Sequence, residues 1–227
     1  MSYEILYEGA FPVVKYKLKR GERLTAEPDA MIAMSSTIDV TGGVDGGIFK
    51  GLTRVLAGEK FFSQYLTATR GDGEVLLAHS SPGAITDIEL DGSYGLRVQK
   101  DGFLACTSGI QVESKMQNLM QGIFSREGFF VLNITGKGTV FVSSYGAIHP
   151  INLDDGEEVI VDNGHLVAWA DYMTYNIEKA SNGWVSSVIS GECLVCRFRG
   201  PGVVLIQTRN PSAFSKWLQK LVTGSNS

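Results

Sequence analysis

Apolar and polar residues alternate with a period of two along most of the chain. In Lys15-Tyr16-Lys17-Leu18-Lys19, three lysines share one face and the two apolar side chains share the other. Successive side chains of a β-strand point to opposite faces, so this spacing predicts short strands. Asp-Gly and Asn-Gly pairs separate the runs and favour hairpin turns, which need positive φ. The pattern therefore predicts an all-β fold of many short antiparallel strands.

Three stretches of the chain repeat one order of features. A turn leads into a short strand that ends in a small residue, at 28–34, 100–107 and 162–169. After an insert comes a strand marked by Gly and Glu, at 58–69, 126–135 and 191–199. A Gly-x-Gly turn then opens an apolar strand, at 71–78, 136–144 and 200–208. One such unit cannot bury both sides of its sheet, so we expect a single domain of three units, about 21–90, 91–155 and 156–210, that share a core.

The inserts carry apolar residues at helical spacing, in GIFKGLTRVL at 47–56, SKMQNLMQGIF at 114–124 and NGWVSSVISG at 182–191. Their apolar faces are expected to cover the sheets, to meet a neighbouring subunit, or to contact a membrane or protein partner. We predict an interaction surface with these members: Ile48, Phe49, Leu52, Val55, Leu56, Met116, Leu119, Met120, Ile123, Trp184 and Val188.

A helix is predicted over 210–222, in NPSAFSKWLQKLV. Asn210 is a good N-cap and Pro211 suits the first helical position. Phe214, Trp217, Leu218 and Leu221 follow the helical spacing of one apolar face. We expect this helix to cap an exposed end of the β-core; the alternative is a helix that binds a partner or a membrane surface.

Charge and cysteine content narrow the class of protein. The net charge of −4 argues against broad binding of nucleic acid, which requires a positive field. The three cysteines, with no basic segment followed by a long apolar one at the N-terminus, favour reduced thiols in a cytoplasmic protein. The alternating lysines of 15–19 would either protect an exposed edge strand or touch phosphates, and the first role is expected.

Motifs for chemistry are not found in the sequence. The three histidines, His79, His149 and His165, lie in separate segments, without the spacing of a metal motif. Cys193 and Cys196 form a C-x-x-C within a predicted strand, which favours buried thiols over a redox or zinc site. We therefore predict no catalytic residue, no metal and no cofactor. An enzyme would require a closed pocket that joins a histidine to a carboxylate through folding.

Five segments together resemble one family along nearly the whole chain: GGIFKGLTRVLAGEKFF, FLACTSGIQVE, GTVFVSSYGAI, VDNGHLVAW and GPGVVLIQTRNPSAFSKWL. It is the bacterial family of uncharacterised proteins related to the altered-inheritance-of-mitochondria protein of fungi. The resemblance implies a fold like that of the tryptophan RNA-binding attenuation protein, a double-stranded β-helix with three related units per chain. It also implies homo-oligomers, with a trimer as one form, and it carries no catalytic residues.

Three functions are consistent with these observations. The first is a non-enzymatic oligomeric binding or scaffold protein, because apolar segments outside a core mark interfaces. The second is a protein associated with a membrane surface and its organisation. The third is an RNA-binding module by analogy of fold, which the acidic charge makes the weakest of the three.

Overall fold

The computed structural model describes residues 2–9, 11–44, 62–116, 130–179 and 194–224. Within these ranges the chain consists almost entirely of antiparallel strands, followed by a helix near the C-terminus. The predicted all-β class is confirmed.

The strands are β1 to β18 in chain order. The bounds of the first seven are Tyr3–Leu6, Val13–Leu18, Arg23–Ala26, Met31–Met34, Ile38–Val44, Phe62–Ala68 and Gly73–Leu77. The next five are Ile85–Asp91, Leu96–Gln99, Phe103–Thr107, Ile110–Met116 and Phe130–Ser143. The last six are Ile148–Leu153, Glu158–Asp162, Leu166–Ala170, Thr174–Lys179, Leu194–Arg199 and Gly202–Gln207. Short 3-10 turns at Lys100–Gly102 and Asn163–His165 precede β10 and β15.

The strands form three hydrogen-bonded groups. The first is a four-stranded sheet of order β1-β2-β7-β4, and the last is a three-stranded sheet of order β14-β17-β16. Between them, one path runs β13-β18-β15-β9-β12-β10-β3-β6-β5, with β8 and β11 also paired to β12. The long strand β12 holds this path together, because its first half pairs β9 and β11 and its second half pairs β8 and β10.

Each predicted Gly-x-Gly strand lies between two neighbours in the same way. A leucine stands opposite the second glycine in all three pairings, as Leu18 with Gly73, Leu90 with Gly138 and Leu153 with Gly202. The φ angles of 147° at Gly138 and 149° at Gly202 are ones that side chains rarely tolerate, so glycine is required there.

On the other side of each Gly-x-Gly strand lies a strand with a one-residue bulge. The pairing of β4 with β7 skips Ile32, that of β10 with β12 skips Leu104, and that of β15 with β18 skips Val167. In each case the residue after the skipped one is an alanine: Ala33, Ala105 and Ala168. The three bulged strands therefore occupy equivalent positions.

Two further pairings, which we call the internal joints, lie within the long middle path of strands. In the first, β10 pairs antiparallel with β3; in the second, β15 pairs antiparallel with β9. Each joint places a bulged strand between its Gly-x-Gly neighbour and a second strand. This double coverage is why β10 has four fully buried residues in five and why every residue of β15 is buried.

The core consists of three clusters of buried apolar side chains. One cluster gathers Leu24, Leu66, Leu77 and Phe141; a second is built around Phe103, Leu132 and Ile134; the third surrounds Trp169 and Phe198. Trp169, Tyr175 and Phe198 pack as one aromatic group, with ring centroids 5.1–5.6 Å apart. Aromatic burial of this kind contributes strongly to stability.

The predicted C-terminal helix, α1, spans Pro211–Thr223. Asn210 caps it, because its side-chain oxygen accepts a hydrogen bond from the Ala213 N–H at 3.2 Å, and Gly224 ends it in the left-handed conformation. However, no residue of α1 is buried, so the expectation that it caps the core is wrong. Its amphipathic spacing forms the helix, but the strands already cover the core clusters.

Candidate functional site

The bulged strand β4 is an apolar strand that lies open to solvent. It is the end strand of its sheet and pairs with β7 alone among the described strands. Ile32 is 55% exposed, whereas its counterparts Leu104 and Val167 are 0% and 1% exposed. Met34 is 38% exposed, although its counterpart Trp169 is buried. The residues of β4 are more exposed than their counterparts because β4 has no second neighbouring strand among the described strands.

The strand β14 is the complementary open edge. It is the end strand of the three-stranded sheet and pairs with β17. Its outward residue Ile160 is 52% exposed, while Val161 beside it is buried against the third core cluster. Exposed apolar edges are a template for pairing with another strand, and natural proteins usually protect them with charge or cover.

The helix α1 presents a second exposed apolar surface. Phe214, Trp217, Leu218 and Leu221 are all exposed on it, and the rings of Phe214 and Trp217 stack at 5.6 Å. Phe214 also meets Tyr145 at 5.6 Å, which is a contact between the helix and the sheets. The charged residues of α1 are Lys216 and Lys220, so the helix carries positive charge only.

A cleft of about 320 Å³ lies beside His79, between residues 11–13 and residues 78–85. Ser81 donates its backbone N–H to His79 Nδ1 at 3.1 Å, and its hydroxyl is 2.7 Å from the same atom. The nearest carboxylate, that of Glu27, lies 4.0 Å from His79 Nε2, which is too long for a hydrogen bond.

Burial disfavours the charged forms of both His79 and the neighbouring Glu27. Burial, together with the negative charge of Asp101, raises the pKa of Glu27 to about 7. Burial lowers the pKa of His79 below its ordinary value, which agrees with an Nδ1 that accepts a hydrogen bond from the Ser81 N–H. The lining consists mainly of apolar side chains and small residues. Glu27 is not one of the residues that line the cleft, and its carboxylate approaches His79 without a hydrogen bond.

The remaining histidines and thiols have structural surroundings. His165 Nδ1–H donates to the Gln207 carbonyl at 2.7 Å, and His149 is exposed on β13. Cys106 and Cys196 are buried thiols outside any disulfide, and burial raises the pKa of the Cys196 thiol to about 12. Cys193 lies outside the described residues. Within the described ranges, no group of three His, Cys, Asp or Glu side chains is placed to hold a metal ion.

The lysine stripe of β2 does not lie on an edge strand as expected. β1 pairs with one side of β2 and β7 with the other, so β2 is interior to its sheet. Lys15 forms an ion pair with Glu74 at 3.1 Å, which removes part of the positive charge that a phosphate would need.

Nearly all of the predicted interaction residues lie outside the described part of the chain: Ile48, Phe49, Leu52, Val55, Leu56, Leu119, Met120, Ile123, Trp184 and Val188. Met116 is the last residue of strand β11, paired with Phe130. Each segment that contains these residues lies in sequence between the two strands of an antiparallel pair, β5 with β6, β11 with β12 or β16 with β17.

The sequence reasoning missed Ile32, Met34, Ile160 and Glu27. A signal for Ile32 and Met34 was present in the likeness of residues 28–34 to 100–107 and 162–169, although the number of neighbours of each strand is set by the whole fold. Ile160, on β14, gave no such signal. Glu27 gave no such signal, since its surroundings depend on Asp101 from a distant turn.

Among the described residues, no helix combines the length and the apolar composition that are needed to span a bilayer.

Comparison with known proteins supports a likeness over the whole chain. The model of a family described as mitochondrial biogenesis AIM24 matches residues 3–209. An uncharacterised protein of Streptococcus pyogenes serotype M6 is 31% identical over 236 residues, which cover 100% of this chain and 93% of that protein. The crystal structure of a Streptococcus pyogenes protein aligns with a TM-score of 0.81 and 30% identity, over 96% of this chain and 98% of that chain.

Proposed function

This chain belongs to the mitochondrial biogenesis AIM24 family, and we propose that it is a non-enzymatic, oligomeric binding or scaffold protein. The observation that carries the proposal is that two strands and a helix expose apolar side chains. The core clusters are already covered by other strands. Ile32 and Met34 on β4, Ile160 on β14 and the apolar face of α1 are exposed. Exposed apolar side chains on strands and helices are a feature of surfaces that meet a partner.

The three-unit architecture supports the oligomeric part of the proposal. We interpret the equivalent Gly-x-Gly pairings, the three bulges and the two internal joints as three copies of one β-unit, in the manner of the attenuation-protein fold. Units that bind each other within the chain through strand edges are suited to bind further units in the same way.

Sedimentation equilibrium of the purified protein from 1 to about 100 µM, a range in which specific assemblies normally form, tests this function. The proposal predicts a discrete mass of several chains, or a concentration-dependent series of such masses. A strict monomer over the whole range contradicts it.

Association with a membrane surface is a second candidate, which the composition of α1 favours. Aromatic and aliphatic side chains on one face, with lysines as the charged residues, are typical of helices that lie in the interface of a bilayer containing anionic lipid. Flotation with vesicles of neutral lipid, with and without anionic lipid, tests it. Recruitment that requires the anionic lipid and is lost in Trp217→Glu supports the idea, and absence from both vesicle fractions removes it.

A further inference from the structure

The cleft beside His79 lies at one of three equivalent ends of paired strands. In each unit the Gly-x-Gly strand pairs with the strand whose leucine faces its second glycine, as β7 with β2, β12 with β8 and β18 with β13. Six residues after these glycines stand His79, Ser144 and Thr208. Six residues before the facing leucines stand Pro12, Ala84 and Ala147. The three pairs therefore occupy the same place, one in each unit.

In the second and third units, hydrogen bonds close this end of the paired strands. The Ser144 N–H donates to the Ala84 carbonyl at 3.1 Å, and the Ser144 hydroxyl accepts from the Ala84 N–H at 3.2 Å. The Thr208 N–H donates to the Ala147 carbonyl at 3.0 Å, and the Thr208 hydroxyl accepts from the Ala147 N–H at 2.9 Å. A small hydroxyl side chain thus joins the two strands in both units.

In the first unit the strands separate earlier. Their last pair is Val14 with Leu77, whereas the ladders of the other two units continue for one pair more. Pro12 has no N–H to donate, and His79 carries an imidazole in place of the hydroxyl, so the closing bond cannot form. The cleft of about 320 Å³ lies at this point. It is therefore a feature of one unit, produced by two residues that differ from their counterparts.

The lining of the cleft is apolar, with a few polar groups. The carbon surface comes from Phe11, Pro12, Val13, Pro82 and Ile85, among others. The polar side chains are those of His79, Ser80 and Ser81. None of the described lining residues is a lysine, an arginine, an aspartate or a glutamate. Because burial of an unpaired charge is costly, the cleft suits a small uncharged molecule.

Ser81 supplies a hydrogen-bond acceptor to such a molecule. The Ser81 N–H donates to His79 Nδ1, which identifies Nδ1 as an acceptor. The Ser81 hydroxyl, 2.7 Å from the same atom, therefore directs its hydrogen to Nδ1 and keeps its two lone pairs as acceptors. A ligand O–H or N–H can donate to that oxygen. The flat faces of Phe11 and of the two prolines are surfaces on which an aromatic ring packs well.

We propose that the cleft between residues 11–13 and residues 78–85 binds a small uncharged aromatic molecule, whose O–H or N–H donates to the Ser81 hydroxyl. A phenol is the simplest member of this class. The site lies within one chain, so it goes beyond the proposed oligomer and does not depend on it.

Methyl NMR of the protein during titration with p-cresol tests the site. The methyl signals of Ala84 and Ile85 report on the cleft, and that of Ile160, exposed on β14, reports on non-specific binding. The proposal predicts saturable shifts at Ala84 and Ile85 alone, with a Kd on the order of 1 mM for so small a ligand.

Two further probes test the predicted class of ligand. Toluene lacks the donor and should bind about three- to tenfold more weakly than p-cresol. Benzoate is charged and should give no saturable shift. Equal affinity for the three probes, or shifts of the same size at Ile160, overturns the proposal. Absence of p-cresol binding also overturns it and leaves the proposed function standing, because sedimentation tests that function separately.

Variants distinguish a built site from a passive depression. Ser81→Ala removes the acceptor, so p-cresol should bind no better than toluene, while Ser36→Ala, exposed outside the cleft, should bind like the wild type. Pro12→Ala combined with His79→Ser gives the first unit the residue types of the second, so the strand ends should join and binding should be lost. Undiminished p-cresol binding in either variant overturns the proposal. If the double variant does not fold, the comparison of Ser81→Ala with Ser36→Ala decides.

Discussion

Ile32 and Leu104 occupy the same place in two equivalent strands, as the residue skipped by the bulge, yet Ile32 is 55% exposed and Leu104 is fully buried. Their strands differ in coverage, because β10 lies between β12 and β3 while β4 has β7 alone. The exposure of Ile32 where its counterparts are buried is the observation on which the proposed interface rests.

The contribution of Glu27 to the stability of the protein should fall as the pH rises from about 4.5 to about 7. Its folded pKa is about 7 against 4.5 in the unfolded chain, so the folded state holds a proton that the unfolded state loses. The contribution is complete below pH 4.5 and is lost by the time the pH passes 7. Glu27→Gln, which stays neutral, should be more stable than the wild type by on the order of 1–3 kcal/mol at pH 8.

Denaturant unfolding of both proteins near pH 4.5 and near pH 8 measures this difference. The difference in the free energy of unfolding between Glu27→Gln and the wild type should grow as the pH rises. Glu8→Gln, at an exposed site, is the matched control. A gap of the same size at both pH values would mean that burial does not hold the proton on Glu27.

The aromatic group of the third core cluster should dominate the stability of its sheet. Phe198 is fully buried and packs on both Trp169 and Tyr175. Phe198→Ala should therefore lower the free energy of unfolding by about 3–5 kcal/mol. Phe214→Ala, on the exposed helix, should change it by no more than about 0.5 kcal/mol in a monomeric background. Equal effects in thermal or denaturant unfolding would contradict the burial of Phe198.

The described thiols should be inert in the native protein. Burial raises the pKa of Cys196 to about 12, and the thiolate is the reactive form. In a Cys193→Ser variant, a thiol reagent should label neither Cys106 nor Cys196 at neutral pH, and should label both in denaturant. Rapid labelling of the native variant would show that the core around Cys196 opens readily.

The helix α1 should contribute to membrane binding but not to the stability of the fold. Leu221→Glu replaces an exposed apolar side chain, so the unfolding midpoint should stay close to that of the wild type. Recruitment to anionic vesicles should be lost, because a negative charge enters the apolar face. Gln219→Glu places the same charge at an exposed polar position of the helix and is the control. A large fall in the midpoint of Leu221→Glu would instead place α1 against the core.

The sequence predicted the elements better than their surroundings. The alternation around Tyr16 and the spacing of Phe214 and Trp217 identify a strand and a helix, because side-chain periodicity is a local property. What covers each element is a property of the whole fold. The sequence therefore could not tell that β1 makes β2 an interior strand, or that α1 stays exposed.

The exposure of the edge strands at the candidate site could not be predicted from the sequence for the same reason. MIAM of β4 resembles FLACT of β10 and LVAWA of β15 in composition, and nothing local distinguishes a strand with two neighbours from a strand with one. The difference arises from the number of neighbouring strands, which only the complete fold determines. The predicted interaction surface of Ile48, Met120 and Trp184 stays a prediction, because those residues lie outside the described chain.

The most direct test of the proposed oligomer is the mass of three variants in solution, measured by light scattering. Met34→Lys and Ile160→Glu each place a charge among the exposed apolar side chains of an edge strand, so each single variant should lose the oligomer. Val203→Lys, on an interior strand, should assemble like the wild type. Single variants that assemble as well as the wild type would contradict the account.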